Sequence, residues 1–390
     1  MNLLKEKIQR NLLFILILIL SCLSIITITG ILPQLENYGT VSNSIIFILK
    51  QIVGIVVGTV LIFLIKKITI NNMEEIITKI NFVLITMLII LALNPPIIGD
   101  LFVKTINGAS GWFNIPILNI SIQPIEFFKI TMLLQLSFVT YHANNNKLSV
   151  KEIIKKFIIF GFLPIFCILL QPDLGGTLLL ILPCFVLLIL SLRNNAKFMK
   201  FLKYFLVLTI FGFILLIIPQ TQELITKYTP IQAYQLARIN SWLEPFNYDG
   251  GYQLQQALIL MGSSGPFGYG FGNINILLPE PHTDVIFAEF CGMFGYVGGI
   301  LLILIYMYLL YIIFKTILIC DEEFDFYLLI AIFMLFFIQI IENIGMMLGV
   351  LPITGIVLPF MSYGVSALIT YFILIGLVNN IRNKYIAKLL

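Results

Sequence analysis

The strongest candidate for catalysis is Asp284, which follows Glu280 and His282 and directly precedes an apolar run. A carboxylate at the edge of an apolar segment loses water, and this desolvation raises its pKa. A raised pKa suits a general base, which must accept a proton near neutral pH. An aspartate in this position can also cap the following helix, and the sequence leaves both roles open.

Arg238 is the second notable side chain, because it is one of only four arginines in a chain with 19 lysines. The planar guanidinium forms paired hydrogen bonds with phosphate or carboxylate, which the lysine ammonium cannot match. Arg238 is therefore a candidate for binding an anion. A structural ion pair with Glu244 is the alternative.

Glu126 and Lys129 lie in an apolar run, three residues apart and so on one face of a helix. A charge at membrane depth costs roughly 2.5–3.5 kcal/mol, so such residues are functional candidates. They either neutralise each other inside the protein or line a substrate cavity in which Lys129 meets an anion. Asp173 lies in a turn that contains Pro and Gly, and it either caps the next helix or binds substrate. Glu342 with Asn343 can link helices.

The composition requires that these side chains sit on membrane helices. Of the 390 residues, 59% are hydrophobic and 11% are charged, with mean hydropathy +1.04. A soluble domain has about 25% charged residues. The net charge of +4 gives no reason to expect a nucleic-acid partner. The five scattered cysteines and two distant histidines form no disulfide or metal-binding pattern.

The apolar runs predict an all-α polytopic membrane protein with about ten transmembrane helices, since each crossing needs ~20 residues. The first run follows Lys5, Lys7 and Arg10 and is long enough to be a membrane span instead of a cleaved signal. The predicted spans are 11–32, 44–65, 76–94, 122–141, 153–170, 174–192, 201–219, 285–314, 324–350 and 354–381.

The distribution of Lys and Arg predicts that both termini are cytoplasmic. Of the 23 basic residues, 18 lie on the side of the N-terminus, two lie inside spans, and only Lys104, Lys227 and Arg238 lie on the other side. Cytoplasmic loops carry the excess of positive charge. The chain is predicted to form one domain, 1–390, with one large extracytoplasmic loop, 220–284, between spans seven and eight. Long loops in compact proteins are usually functional.

Ordered motifs along nearly the whole chain resemble those of the SEDS family (shape, elongation, division and sporulation), and most closely its RodA-type members. The order of the motifs on ten spans is more specific than any one of them. The motifs are Gly108-Ala109 with Trp112, Gln123-Pro124 with Glu126 and Lys129, Gln171-Pro172-Asp173, Arg238 to Pro245, Gly251-Tyr252-Gln253, Leu278 to Asp284, Asn343 to Met346, Gly349 to Gly355, and Leu358 to Gly364.

The resemblance implies a peptidoglycan glycosyltransferase that polymerises lipid II at the outer face of the bacterial cytoplasmic membrane, beside a class B penicillin-binding protein. It implies that Asp284 is the catalytic carboxylate, and that a divalent cation (Mg²⁺ or Mn²⁺) can assist, although no dedicated metal motif is visible. We expect membrane lipid to surround the protein. The residues expected to bind substrate are Arg238, Lys129, Glu126, Gln123, Asp173, Trp242, Gln253, His282, Glu280 and Ser362.

The chain departs from the family pattern at several positions. The acidic pair expected about eight residues after Asp284 is Gly292-Met293, and its loss would weaken a cation or donor site. Two other functions stay open: a flippase for a lipid-linked precursor, and a non-catalytic scaffold for a penicillin-binding protein. The further departures are Gly111 for Arg, Ile125 for Ser, Val285 for Phe and Val365 for Gly.

Overall fold

A computed structural model shows that the chain is built almost entirely from long helices. The helices are α1 (Asn2–Gly30), α2 (Ile45–Ile65), α3 (Glu74–Leu93), α4 (Pro124–Asn144), α5 (Val150–Leu170, with a π-helical turn at Ile158–Phe162), α6 (Leu174–Ser191), α7 (Ala196–Ile217), α8 (Tyr252–Ser263), α9 (Ile286–Leu318), α10 (Glu323–Met347) and α11 (Val365–Leu389). The structure describes residues 2–33, 45–65, 73–93, 103–106, 109–115, 120–218, 239–247, 251–276 and 278–389.

An all-α polytopic membrane fold is confirmed. Within the described residues, eight helices are long and apolar enough to cross a membrane, namely α1, α2, α3, α5, α6, α9, α10 and α11. The helices α4 and α7 lie on the two remaining predicted spans. The number of crossings and the cytoplasmic location of the termini stay predictions.

The structure differs from the predicted elements in three places, of which the first is helix α8 (Tyr252–Ser263) inside the predicted loop 220–284. A small antiparallel sheet, β1 (Val103–Ile106), β2 (Ala109–Ile115) and β3 (Ile120–Ile122), occupies a stretch that we expected to be a loop. The last helix begins at Val365, whereas the apolar pattern predicted residue 354. The segment before it contains Pro359 and glycines with positive φ at 355 and 364, which a helix does not accommodate.

The helix α4 lies in the interior of the bundle, because it packs against α3, α6 and α10. Nearly all of its side chains are buried, including the polar ones from Gln135 to Thr140. Helix α2 has the opposite character, since one face packs on α11 while most of its side chains are exposed to the surroundings. Polar residues on α4 therefore face protein, and the exposed apolar residues of α2 are suited to lipid.

Candidate functional site

Asp284 lies two residues before α9 and does not cap that helix. The residue in the cap position is Val285, and no side chain bonds to the free amides there. Instead, the Asp284 carboxylate accepts hydrogen bonds from Thr283 Oγ1 at 2.8 Å and from Gln253 Nε2 at 3.3 Å. Asp284 is half-buried, so the carboxylate can still meet a substrate.

The main chain around Asp284 is fixed by buried amide and hydroxyl groups. Asn343 Nδ2 lies 2.7 Å from the Asp284 carbonyl oxygen and 2.7 Å from that of Ile356, and donates to both. Ser362 Oγ donates to the Thr283 carbonyl oxygen at 2.6 Å and accepts from the Leu358 amide at 2.8 Å. The segment that carries Asp284 is thus attached to α10 and to the loop before α11.

The pKa of the Asp284 carboxyl is raised above its ordinary value, mainly because burial removes water from it. The hydrogen bonds from Thr283 and Gln253 lower the pKa, and the negative charge of Glu280 raises it, but desolvation is the largest effect. The carboxyl therefore holds a proton more strongly than an exposed aspartate, as a general base requires.

His282 is held in an aromatic group beside the carboxylate. Its ring lies 4.9 Å from that of Phe47 on α2 and 5.5 Å from that of Tyr363. Burial lowers the pKa of His282 to about 4, although the charge of Asp284 acts in the opposite direction. Neutral His282 therefore supplies no positive charge to Asp284. Glu280 Oε2 lies 3.8 Å from His282 Nε2.

Glu126 and Lys129 form an ion pair of 2.6 Å in the interior, and both side chains are almost fully buried. A chain of polar contacts leads from this pair toward Asp284. Lys129 Nζ lies 6.0 Å from the centre of the Tyr371 ring, and Gln339 Nε2 donates to the Tyr371 hydroxyl. Gln339 also donates to the Val357 carbonyl oxygen at 3.1 Å, one residue beyond the Ile356 carbonyl that Asn343 binds.

Asp173 caps helix α6, since its Oδ1 accepts a hydrogen bond from the Gly176 amide at 2.7 Å. The capped helix end nevertheless lies close to the Asp284 region. A Cβ atom added to Gly175 would lie 2.8 Å from the Thr354 carbonyl oxygen, and one added to Gly355 would lie 3.9 Å from Asp284 Oδ2. Asp173 can thus serve the site by shaping the loop against which the carboxylate lies.

The remaining predicted residues are spread around this centre. Gln123 is the residue before α4, and its Nε2 lies 3.8 Å from where a Cβ atom on Gly111 would be. Trp242 donates from Nε1 to the Gly349 carbonyl oxygen at 3.1 Å, which ties the segment 239–247 to the end of α10. Arg238 lies outside the described residues.

The described part of the chain contains no group of three or more His, Cys, Asp and Glu side chains that could hold a metal ion.

The family comparison agrees with this arrangement of motifs. The model of the family FTSW_RODA_SPOVE, described as "Cell cycle protein", matches residues 10–386. The chain belongs to this family. The resemblance to the SEDS family is thereby confirmed.

Relatives within the FtsW/RodA/SpoVE family cover most of the chain. A protein of Wigglesworthia glossinidia brevipalpis, "Probable peptidoglycan glycosyltransferase FtsW", is 34% identical over 82% of this chain and 79% of its own length. "Stage V sporulation protein E" of Bacillus subtilis (strain 168) is 29% identical over 70% of this chain and 72% of its own. The RodA-type assignment within the family stays a prediction.

Two solved structures share the fold. The RodA protein of Thermus thermophilus superposes with a TM-score of 0.63 and 21% identity, covering 96% of this chain and 97% of RodA. A chain of a peptidoglycan synthase complex, described for its polymerization and crosslinking, superposes with a TM-score of 0.70 and 22% identity, again covering 96% and 97%.

The departure from the family pattern at Gly292-Met293 falls in a packed region. A Cβ atom at Gly292 would lie 2.8 Å from Leu260 Cδ1 of α8, and the Met293 side chain lies against Gly30 at the end of α1. Met293 is buried. In this chain both positions serve helix packing, Gly292 by leaving room for Leu260 and Met293 by packing its side chain against Gly30.

Sequence reasoning undervalued two residues of the site. The sequence gives no separate signal for Thr283, whose hydroxyl donates to the Asp284 carboxylate at 2.8 Å. Asn343 was interpreted as a link between helices, whereas it binds the main chain of Asp284 itself. The signal for Asn343 was available, since a buried amide in an apolar helix must satisfy its hydrogen bonds within the protein.

Proposed function

We propose that this protein is a peptidoglycan glycosyltransferase that polymerises lipid II into glycan strands. One observation carries the proposal: a half-buried carboxylate with a raised pKa, Asp284, is positioned by α8, α10 and the loop before α11, beside the start of a membrane helix. The names of the FtsW relatives support the same activity.

The chemistry needs one carboxylate. The 4-hydroxyl oxygen of the acceptor sugar attacks the anomeric carbon of the donor, and its proton passes to Asp284. The bond between the anomeric carbon and the diphosphate oxygen breaks, and the electron pair leaves with the lipid diphosphate. This leaving group is already a stable anion, so no second carboxyl group is needed as a general acid, in contrast to glycoside hydrolysis.

The diphosphate needs positive charge nearby as the bond breaks. Arg238 is the candidate that we assign to this role. We assign Trp242 and Gln253 to substrate binding as well. Lys129 is the weaker candidate, because Glu126 already neutralises its charge in the interior. The described residues do not form a resident metal site. We therefore assign any Mg²⁺ or Mn²⁺ requirement to a cation that arrives on the diphosphate of the substrate.

The location and the partner follow from the same proposal. The distribution of Lys and Arg supports an active face on the extracytoplasmic side of the bacterial cytoplasmic membrane. A class B penicillin-binding protein is the proposed partner, because a structural relative belongs to a complex that couples polymerization to crosslinking.

The test is polymerisation of labelled lipid II by purified protein with Mg²⁺, with and without the partner. The matched variant is Asp284→Asn, which keeps the shape of the side chain and removes its basicity. Loss of a general base lowers a rate by typically 10²–10⁴-fold. If a folded Asp284→Asn protein makes glycan strands at the wild-type rate, Asp284 is not the base. If wild type and variant are both inactive yet activate the partner, the scaffold function is favoured.

A further inference from the structure

The glycine-rich segment 264–272 does not project freely from the protein. It lies along α9 where that helix is interrupted by Gly295, whose φ of 70° and ψ of −175° are not helical. The interruption divides α9 into a short part that begins beside Asp284 and a longer part from Tyr296 to Leu318. The longer part is about 23 residues, or ~35 Å, which matches one membrane crossing.

The main chain of the segment is bonded to both sides of this break. The Tyr269 amide donates to the Gly292 carbonyl oxygen at 2.9 Å, and the Gly270 amide donates to that of Met293 at 3.1 Å. Beyond the break, the amides of Tyr296 and Val297 donate back to the carbonyl oxygens of Gly265 and Pro266, at 3.1 and 3.2 Å. Non-helical backbone is tolerated at membrane depth only when protein satisfies its polar groups, and these four bonds do so.

Two glycines make this close approach possible. A Cβ atom at Gly268 would lie 2.2 Å from the Met293 carbonyl oxygen, and one at Gly295 would lie 2.3 Å from the Pro266 carbonyl group. Both have positive φ. Neither position could hold a side chain at this approach.

The exposed side chains around these glycines are large and aromatic. Phe267 is 79% exposed in the isolated chain, and Phe271, Tyr269 and Tyr296 are exposed as well. Next to them, the exposed face of α9 continues into its membrane part through Ile300 and further apolar residues. The aromatic patch, Phe267, Tyr269, Phe271 and Tyr296, is therefore continuous with a surface that lipid covers.

Two further observations place the patch at the membrane boundary. A Cβ atom at Gly30 would lie 3.3 Å from the Phe271 ring, so the patch is level with the end of α1, the first membrane helix. In addition, the 28 residues from 252 to 279, which include the segment 264–272, contain no Asp, Glu, Lys, Arg or His. Tyrosine is enriched at the level of the headgroups, and an uncharged stretch with exposed aromatic rings is suited to this boundary.

We propose that the segment 264–272 is inserted into the membrane interface, with Phe267 among the lipid acyl chains. The inserted segment is hydrogen-bonded to α9 at its break, on the side that faces lipid. The short part of α9 extends from this break to Asp284. The membrane thereby fixes the position of the carboxylate relative to the lipid surface.

The test uses full-length protein in nanodiscs and the variant Phe267→Trp, with Phe246→Trp as the matched control. Phe246 is 59% exposed but follows the exposed Glu244 in the segment 239–247, so we expect it to lie in water. The added tryptophan emission is obtained by subtracting the wild-type emission, which comes from Trp112 and Trp242. Phosphatidylcholine brominated on its acyl chains and aqueous iodide are the two quenchers.

We expect brominated lipid to quench the added emission of Phe267→Trp strongly and iodide to leave it nearly unchanged, with the opposite result for Phe246→Trp. Quenching of Phe267→Trp by iodide would overturn the proposal and leave the patch free for a protein partner. Quenching by neither agent would also overturn it, because protein would then cover the side chain. Phe271→Trp provides a second probe if the first variant does not fold.

Discussion

The hydrogen bond from Thr283 to Asp284 gives a prediction whose size follows from the structure. We expect Thr283→Val, which keeps the side-chain shape and removes the hydroxyl, to raise the pKa of Asp284. A hydrogen bond to a charged acceptor is worth ~1.5–3 kcal/mol, and one pKa unit corresponds to about 1.36 kcal/mol. The Thr283 proton is shared with the Glu280 carbonyl oxygen at 3.1 Å, so the smaller figure applies, and it corresponds to about a tenfold change in an equilibrium constant.

The sign and the assay follow from the role of the base. A base acts when deprotonated, so a higher pKa moves the acidic limb of the pH–rate profile to higher pH. The measurement is kcat/KM for lipid II polymerisation across the pH range, since this ratio reports the pKa of the free enzyme. Thr283→Val should be ~10-fold slower than wild type well below the pKa and nearly equal to it well above.

Two related variants sharpen the result. Thr283→Ser keeps the hydroxyl, so the acidic limb of its pH–rate profile should lie at the same pH as in wild type. Gln253→Leu removes a longer contact of 3.3 Å and should shift the limb in the same direction by less. If Thr283→Val reduces kcat/KM equally at every pH, or moves the limb downward, then the hydroxyl does not stabilise the charged base and this reasoning is refuted.

Three other predictions concern the buried polar groups. Lys129→Met should destabilise the fold by ~3–5 kcal/mol because Glu126 loses its partner, and adding Glu126→Gln should recover most of the melting temperature. Asp284→Asn should raise the melting temperature at neutral pH. The folded-state pKa of Asp284 is raised, so stability falls as pH rises from the unfolded to the folded pKa, and the variant's gain should vanish at more acidic pH. Asn343→Leu should lower kcat without shifting the acidic limb, because Asn343 donates to the main-chain carbonyl oxygens of Asp284 and Ile356 and not to the Asp284 carboxylate; a shifted limb would contradict this.

The sequence predicted the helices well because hydrophobicity decides them. The observed α2, α3 and α6 begin and end within two residues of the predicted spans. The start of α11 was wrong by eleven residues, since the segment before it is apolar enough to pass for a span. Its residues Pro359 and Gly364 contained the contrary signal. The sheet at 103–122 depends on pairing between short strands, and such pairing leaves little trace in composition.

The sequence indicated which residues form the site, but it did not indicate which groups they contact. The position of Asp284 at the edge of an apolar run indicated desolvation, and the structure shows the raised pKa that this implies. The choice between capping a helix and staying available to substrate was not decidable from sequence, because it depends on where Val285 and Gln253 lie. Asp173 had the same ambiguity, and there the structure shows a cap.

The contacts around Asp284 separate its position from its basicity. Every donor placed on a carboxylate lowers its pKa and occupies a lone pair, so a base held tightly through its oxygens becomes a weak base. Here the firm contacts, from Asn343 and Ser362, go to main-chain carbonyl oxygens, and the described side chains that reach the carboxylate are those of Thr283 and Gln253. The main chain is thus fixed within a buried network while the side chain stays desolvated and available. A proton acceptor at a membrane boundary needs both properties, because it must remain basic and must also meet a substrate whose depth the bilayer sets.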